Sequence, residues 1–189
     1  IYGLKPGVTR ESMARAIEEG RIMETLQTVS VKAGDSFYIP AGTVHALCAG
    51  VLVAEIQQNS DTTYRLYDYD RPGLDGKPRE LHIEDSLNVT TYEGGGATRM
   101  HTDGVRPGEW LTLAISPYFV TEKGIVSGQW QLTTTPESFT IIIVCDGEGT
   151  IGWPEGTVHA KAGDCFLLPA NLGAYSLDGE MTVLRSRVP

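Results

Sequence analysis

The feature that most constrains this chain is an internal repeat. Lys32-Ala33-Gly34-Asp35-Ser36-Phe37-Tyr38-Ile39-Pro40-Ala41 recurs 129 positions later as Lys161-Ala162-Gly163-Asp164-Cys165-Phe166-Leu167-Leu168-Pro169-Ala170, with seven of the ten residues identical. The Gly-Asp turn, the apolar run and the terminating proline all keep register. Two copies of one β-domain is the economical account, with chance similarity between two hairpins as the alternative.

The texture around the repeat agrees. From Val29 onward, short apolar or alternating runs are separated by Gly, Pro, Asn and Asp. They predict strands at Ser36 to Ile39, Val51 to Gln57, Tyr64 to Tyr69, Leu111 to Val120 and Gly128 to Thr134. Further strands are expected at Phe139 to Cys145, Thr157 to Ala160, Cys165 to Leu168 and Glu180 to Arg185, with a tight turn at Asp146-Gly147-Glu148-Gly149. Such spacing argues for an antiparallel sandwich or barrel. Helix is predicted once with a clear start: Thr9 can cap Arg10 to Glu19, which puts Met13, Ala16 and Ile17 on one face before Gly20. A shorter helical turn is expected at about Ile22 to Gln27. The fold class is therefore all-β with a small helical insert.

A length of 189 residues allows one good core or two small ones. Glu93 to Glu109, with Gly94-Gly95-Gly96 and Pro107-Gly108, has little hydrophobic periodicity and reads as the linker. With 24 acidic against 15 basic residues, the net charge of −9 speaks against a nucleic-acid partner. It also denies an anionic substrate any long-range steering, so an anion site must be local. No run approaches the roughly 20 apolar residues of a membrane helix, so a soluble protein is expected. Cys48, Cys145 and Cys165 are odd in number and lack CxxC spacing. They read as reduced core thiols of a reducing, cytoplasmic compartment. The opening Ile1-Tyr2-Gly3 looks like the end of a strand entering a turn, which suggests a fragment.

Chemistry concentrates after the first repeat copy. At the matched offset, His45 of the first copy becomes Ala174 in the second. The fold can therefore close without an imidazole there, which moves weight from a structural to a functional histidine. Gly34, Pro40, Gly42 and His45 fit the pattern G-x5-P-x-G-x2-H, in which glycines permit tight turns and Pro40 fixes the chain direction before the histidine.

This pattern resembles the second sequence motif of the cupin superfamily, whose histidine is the last metal ligand; the usual later Asn is replaced by Ala49. The longer stretch Pro40-Ala41-Gly42-Thr43-Val44-His45-Ala46-Leu47 and Glu55-Ile56-Gln57-Gln58-Asn59-Ser60-Asp61-Thr62-Thr63-Tyr64-Arg65-Leu66-Tyr67-Asp68-Tyr69-Asp70-Arg71 looks like the short bacterial branch of the type I mannose-6-phosphate isomerases. The resemblance spans essentially the whole chain and implies two jelly-roll or β-barrel cupin domains, the first incomplete at its N-terminus. Residues 1–92 would be the C-terminal part of the metal-binding cupin domain, 93–109 the linker and 110–189 a second, degenerate cupin.

By this resemblance His45 is a zinc ligand and Arg65 an active-site arginine serving the substrate's phosphate or the enediolate. The family's other ligands, a Gln and a His followed by a Glu, and a substrate-binding lysine would lie upstream of Ile1. The chain alone would then be inactive or nearly so, because catalytic zinc needs about three protein ligands. The implied partner is a hexose 6-phosphate; a homo-oligomer is compatible with the sequence.

Other readings stay open at individual residues. His45 could be a structural imidazole, and Arg65 could pair with Asp61, Asp68 or Asp70 on a surface strand. Glu55 and Gln57 share strand parity and would line the site if that face points inward. Arg71, Lys77 and Arg79 could sit at the site mouth or on a solvated loop, while His82 and His101 read as solvated. His159 sits on an edge strand of the copy without the ligand, which argues against a metal role. The competing function is a non-catalytic cupin, a sugar-binding or regulatory module; an iron-dependent cupin oxygenase fits less well.

Overall fold

The computed structural model of the chain describes all residues except Asp70, Leu74, 94–98 and His101. The expected Gly94–Gly96 linker core, a solvated His101 and an Asp70 partner for Arg65 therefore lie outside the described residues. Two units emerge, one formed by Ile1–Ala33, Ile39–Val51 and Ser60–Arg99, the other by Gly34–Tyr38, Leu52–Asn59 and Met100–Pro189.

The first unit is built around helix α1, Arg10–Glu18. The Thr9 hydroxyl accepts from the Ser12 N–H at 3.2 Å, and the Ser12 hydroxyl accepts from the Thr9 N–H at 2.9 Å. This reciprocal box satisfies donors that a helix start otherwise leaves open. Gly20 ends the helix region at φ +67°, a backbone state glycine adopts without strain. Met13 and Ala16 are buried, as the spacing predicts, and Ile17 packs against the same cluster of Leu4, Met13, Ile22, Leu26 and Leu87. The turn after Gly20 is a short 3-10 helix, Ile22–Glu24, that stops before Gln27.

The N-terminal residues run between two neighbours. Tyr2 N–H donates to Gln27 O and Lys5 N–H to Thr25 O, while Gly3 N–H donates to Val44 O at 2.7 Å. A second helix, α2 at Ile83–Val89, was not expected; it buries Leu87 against α1's cluster. Its apolar residues are too few for a helical stripe to show in sequence.

The second unit carries most of the β-structure. After the two-residue strands β1 (Ser36–Phe37) and β2 (Arg99–Met100) come β3 (Trp110–Ile115), β4 (Val120–Thr133), β5 (Thr140–Trp153), β6 (Gly156–Lys161), β7 (Cys165–Leu168) and β8 (Ala174–Arg187). The last six form one antiparallel sheet in the order β3-β4-β8-β5-β6, with β7 on β5. Tyr175, Leu177, Met181 and Val183 alternate along β8 toward the core, where Val126, Ile142, Val144 and Ile151 meet them. The fold class is thus the expected one, β-rich with a small helical part.

Several boundaries depart from the sequence reading. Leu111 to Val120 is not one strand: the Ser116 hydroxyl accepts from the Tyr118 and Phe119 N–H groups, turning the chain between β3 and β4. Asp146-Gly147-Glu148-Gly149 is not a turn but the middle of β5. There a register shift between Val144 and Asp146 bends the strand. A Cβ on Gly147 would lie 2.0 Å from Glu180 O and one on Gly149 2.2 Å from Asp178 O, so these glycines allow close strand approach. Val51 to Gln57 and Tyr64 to Tyr69 form no named strand, and Leu52 is fully exposed. Apolar alternation does not make a strand without a neighbour to take its hydrogen bonds. The three cysteines are free thiols, but all are exposed rather than in a core.

Charge also enters the sheet interior. Arg185 and Glu122 are register partners on β8 and β4, and the guanidinium donates twice to Glu122 Oε2, at 2.9 and 2.6 Å. The same guanidinium lies 4.1 Å from the Trp110 ring centroid, and Trp110 meets Trp130 at 4.5 Å. Gly124 makes room for the two indoles, since a Cβ there would come within 2.7 Å of Trp110.

Candidate functional site

His45 sits where the N-terminal segment holds the chain by backbone hydrogen bonds. Tyr2 and His45 form an isolated antiparallel bridge, and the Ala46 N–H donates to Ile1 O at 3.1 Å. Gly42 enables the approach: its φ is +82°, and a Cβ would meet Val89 O at 2.6 Å and Thr91 Oγ1 at 2.8 Å. The His45 side chain is exposed, with Nδ1 2.9 Å from the Thr43 carbonyl. A carbonyl oxygen only accepts, so Nδ1 carries a proton and, in the neutral imidazole, Nε2 holds the lone pair. That is the tautomer a metal-ligating histidine presents when its other nitrogen is held by a carbonyl.

Arg65 is half-buried and held by the segment at residues 80–82. Its N–H donates to His82 Nδ1 at 3.2 Å, the His82 N–H donates back to Arg65 O at 2.8 Å, and the guanidinium donates to Glu80 O at 3.1 Å. Among the described residues the guanidinium has no carboxylate partner, so pairing with Asp61 or Asp68 is not what fixes it. His82 is half-buried and bonded, not solvated as its sequence position suggests, and it precedes α2 instead of ending a strand.

Asp68 is taken by other cations. Arg79 donates to both of its carboxylate oxygens, one bond being 2.6 Å from Nε, and Arg71 donates at 3.0 Å. The Arg79 hydrogen bonds, with Arg71's added, hold the buried Asp68 carboxyl down at about 2 although burial opposes this. Of the suggested mouth cluster, Arg71 and Arg79 thus converge on Asp68 while Lys77 does not join them. Between Asp68 and Arg71 lies Tyr69, at φ +55°. Its ring contacts Tyr67 at 4.9 Å and takes the Arg71 guanidinium at 5.7 Å from its centroid.

The remaining candidates are not assembled into this site. Glu55 and Gln57 are exposed on a segment of the second unit outside any strand or helix, without a hydrogen bond or ion pair among the described residues. His159 is exposed on β6, 3.6 Å from Glu148. A surface cleft of about 840 Å³ in the first unit is lined by Leu4, Lys5, Val8, Arg10, Gln27 and Tyr92 among others, but by neither His45 nor Arg65. Among the described residues no group of three or more His, Cys, Asp or Glu is placed to hold a metal. His45 therefore fits one position of a metal shell, and these residues do not complete one. The signal for His82 was absent from the sequence because its partner is 17 residues away across a loop.

An antiparallel sheet folded around an apolar interior is the architecture of a cupin, and residues 109–188 match the family model described as mannose-6-phosphate isomerase, cupin domain. The chain is 42% identical over 180 residues to mannose-6-phosphate isomerase ManA of Bacillus subtilis, covering 95% of this chain and 56% of the relative. It is 33% identical to mannose-6-phosphate isomerase of Streptococcus mutans, covering 98% of this chain and 58% of that protein. The crystal structure of the mannose 6-phosphate isomerase from Bacillus subtilis matches with a TM-score of 0.78 at 34% identity, over 98% of this chain and 59% of that one. The chain belongs to the mannose-6-phosphate isomerase family and spans somewhat more than half the length of the curated relatives it matches.

Proposed function

We propose that the whole protein is a cytoplasmic, zinc-dependent aldose-ketose isomerase interconverting mannose 6-phosphate and fructose 6-phosphate. The observation that carries this is the 33–42% identity to curated mannose-6-phosphate isomerases over 95–98% of the chain. Residues 1–92 would supply the C-terminal part of the metal-binding cupin, 93–109 the linker and 110–189 the degenerate second cupin. His45 would be one zinc ligand through Nε2, the remainder coming from sequence upstream of these residues. Bound zinc would act as a Lewis acid on the sugar's carbonyl or hydroxyl oxygen.

The residues of this chain have narrower tasks. Thr43 O accepts from Nδ1 of the His45 ring, so that in the neutral imidazole Nε2 is the nitrogen with the free lone pair. Arg65, free of a carboxylate among the described residues, offers a planar fork to an oxyanion, either the phosphate or the enediolate formed as a proton moves between C1 and C2. Glu55 and Gln57 remain weaker candidates for substrate contact.

The test is a coupled mannose 6-phosphate to fructose 6-phosphate assay on the whole protein, with and without a chelator. Turnover that chelation abolishes and zinc restores is expected. A folded, zinc-loaded protein without turnover would favour a non-catalytic sugar-binding module.

A further inference from the structure

We propose that His82 is a positioning residue for Arg65, an inference that rests on reading Arg65 as a site cation. The two residues exchange hydrogen bonds: Arg65 N–H to His82 Nδ1 at 3.2 Å, and His82 N–H to Arg65 O at 2.8 Å. The third contact, guanidinium to Glu80 O, runs to the same segment. Both ends of Arg65 are thus fixed by residues 80–82, and the ring supplies the acceptor for its backbone donor. A half-buried N–H that loses its acceptor and is not rehydrated leaves its donor unsatisfied, so the residue would shift.

His82 occupies the position before α2, where a side chain ordinarily accepts from the helix's own first N–H groups. Here no such cap bond forms, and the ring is turned to Arg65 instead. To accept at Nδ1, His82 must carry its proton on Nε2, the opposite tautomer from His45. The two histidines are therefore set by different neighbours for different tasks: His45 leaves Nε2 open, and His82 spends Nδ1 on Arg65.

Three variants of the whole protein separate this role from mere support. His82→Leu removes the acceptor. His82→Ser can cap α2 but its hydroxyl falls short of Arg65. His82→Asn returns an oxygen one bond from Cγ, where Nδ1 was. We expect kcat/KM for mannose 6-phosphate to fall about tenfold in the Leu and Ser variants and to stay within about threefold of the parent in the Asn variant. The Arg65 amide resonance of 15N-arginine-labelled protein should move in the Leu and Ser variants and return in the Asn variant, with thermal midpoints recorded for all three. A Ser variant as active as the Asn variant would trace the effect to helix capping and overturn the proposal, as would equal loss in Asn and Leu or an unmoved amide. Arg65→Gln is measured alongside: parent-level activity there would sink the reading of Arg65 itself, while the amide resonance would still decide whether His82 holds it.

Discussion

The two copies of the repeat begin alike and end differently. Gly34 and Gly163 take nearly the same backbone angle, φ +89° and +94°, so the turn is the same. After it the second copy gives the full strand β7, paired residue for residue with β5 from Ile143 to Thr140, whereas the first gives only Ser36–Phe37. Further on, Ala174 opens the 14-residue strand β8, while its counterpart His45 makes a single bridge with Tyr2. Local sequence sets the turn, and partner strands set how far the strand runs. In the first copy, where the described residues supply only the two-residue β2 as partner, the chain spends its residues on an exposed histidine and an arginine bracket.

The largest effect should come from the well-paired region. Leu177 is fully buried among the alternating core residues of β8, so Leu177→Ala removes packing that the sheet cannot easily close over. We expect a loss of about 3 kcal/mol in urea unfolding, with hydrogen exchange accelerated in the strands of that sheet. A loss below about 1 kcal/mol would mean the sheet core is looser than its burial indicates.

Next comes the turn that presents His45. Gly42→Ala adds a Cβ 2.6 Å from Val89 O, at a backbone angle that already disfavours side chains. We expect about 2 kcal/mol of destabilisation. Amide exchange should report it around residues 42–46 and 89–91, where the Thr91 N–H donates to Gly42 O. The corresponding prediction for the second copy is silence, because no glycine stands at position 171.

Asp68 tests the charged bracket through pH. Its folded carboxyl is held down at about 2, below the ordinary 3.8 of an aspartate, chiefly because Arg79 is hydrogen-bonded to it. Unfolded chain therefore binds more protons than folded chain between about pH 4 and 2, and stability falls as pH falls through that window. The Asp68 13Cγ signal should show a midpoint near 2 in the parent and move up toward the ordinary carboxylate range in Arg79→Gln. Asp68→Asn should flatten the part of the acid limb that lies between those values. An unchanged midpoint in Arg79→Gln would assign the depression to Arg71 instead.

The sequence discloses local chemistry well and pairing poorly. The capped α1 and the strand Cys165–Leu168 were readable because Thr9 with Gly20 and the Gly-Asp…Pro frame carry their own start and stop signals. Gly147 and Gly149 misled because a glycine admits a turn and a close strand approach equally, and only the position of β8 decides between them. Val51 to Gln57 has a strand's composition without a strand's neighbours. His45 and Arg65 could be named as residue types in a pattern. The tautomer of one and the holder of the other depend on Thr43 and His82, whose carbonyl and ring acquire meaning only once the chain is folded.

The smallest effect sharpens the comparison most. Among the described residues nothing lies within 4 Å of a Cβ added at Gly163, and at Gly34 only Thr102 Oγ1 does, at 4.0 Å. Substituting alanine at either site therefore costs conformational strain alone, about 1 kcal/mol, without a clash. If the turns are the same device, Gly34→Ala and Gly163→Ala should lower stability by the same amount in urea titrations. The consequences should nonetheless differ. At Gly163 the loss should spread into slower-exchanging amides of β7, because the Gly163 N–H donates to Val144 O and the Val144 N–H donates to Asp164 O across the strand entry. At Gly34, followed by two strand residues, it should stay within the turn. Equal spreading at both sites would mean that the first copy is as firmly paired as the second, and the contrast between the two regions would have to be sought in their side chains.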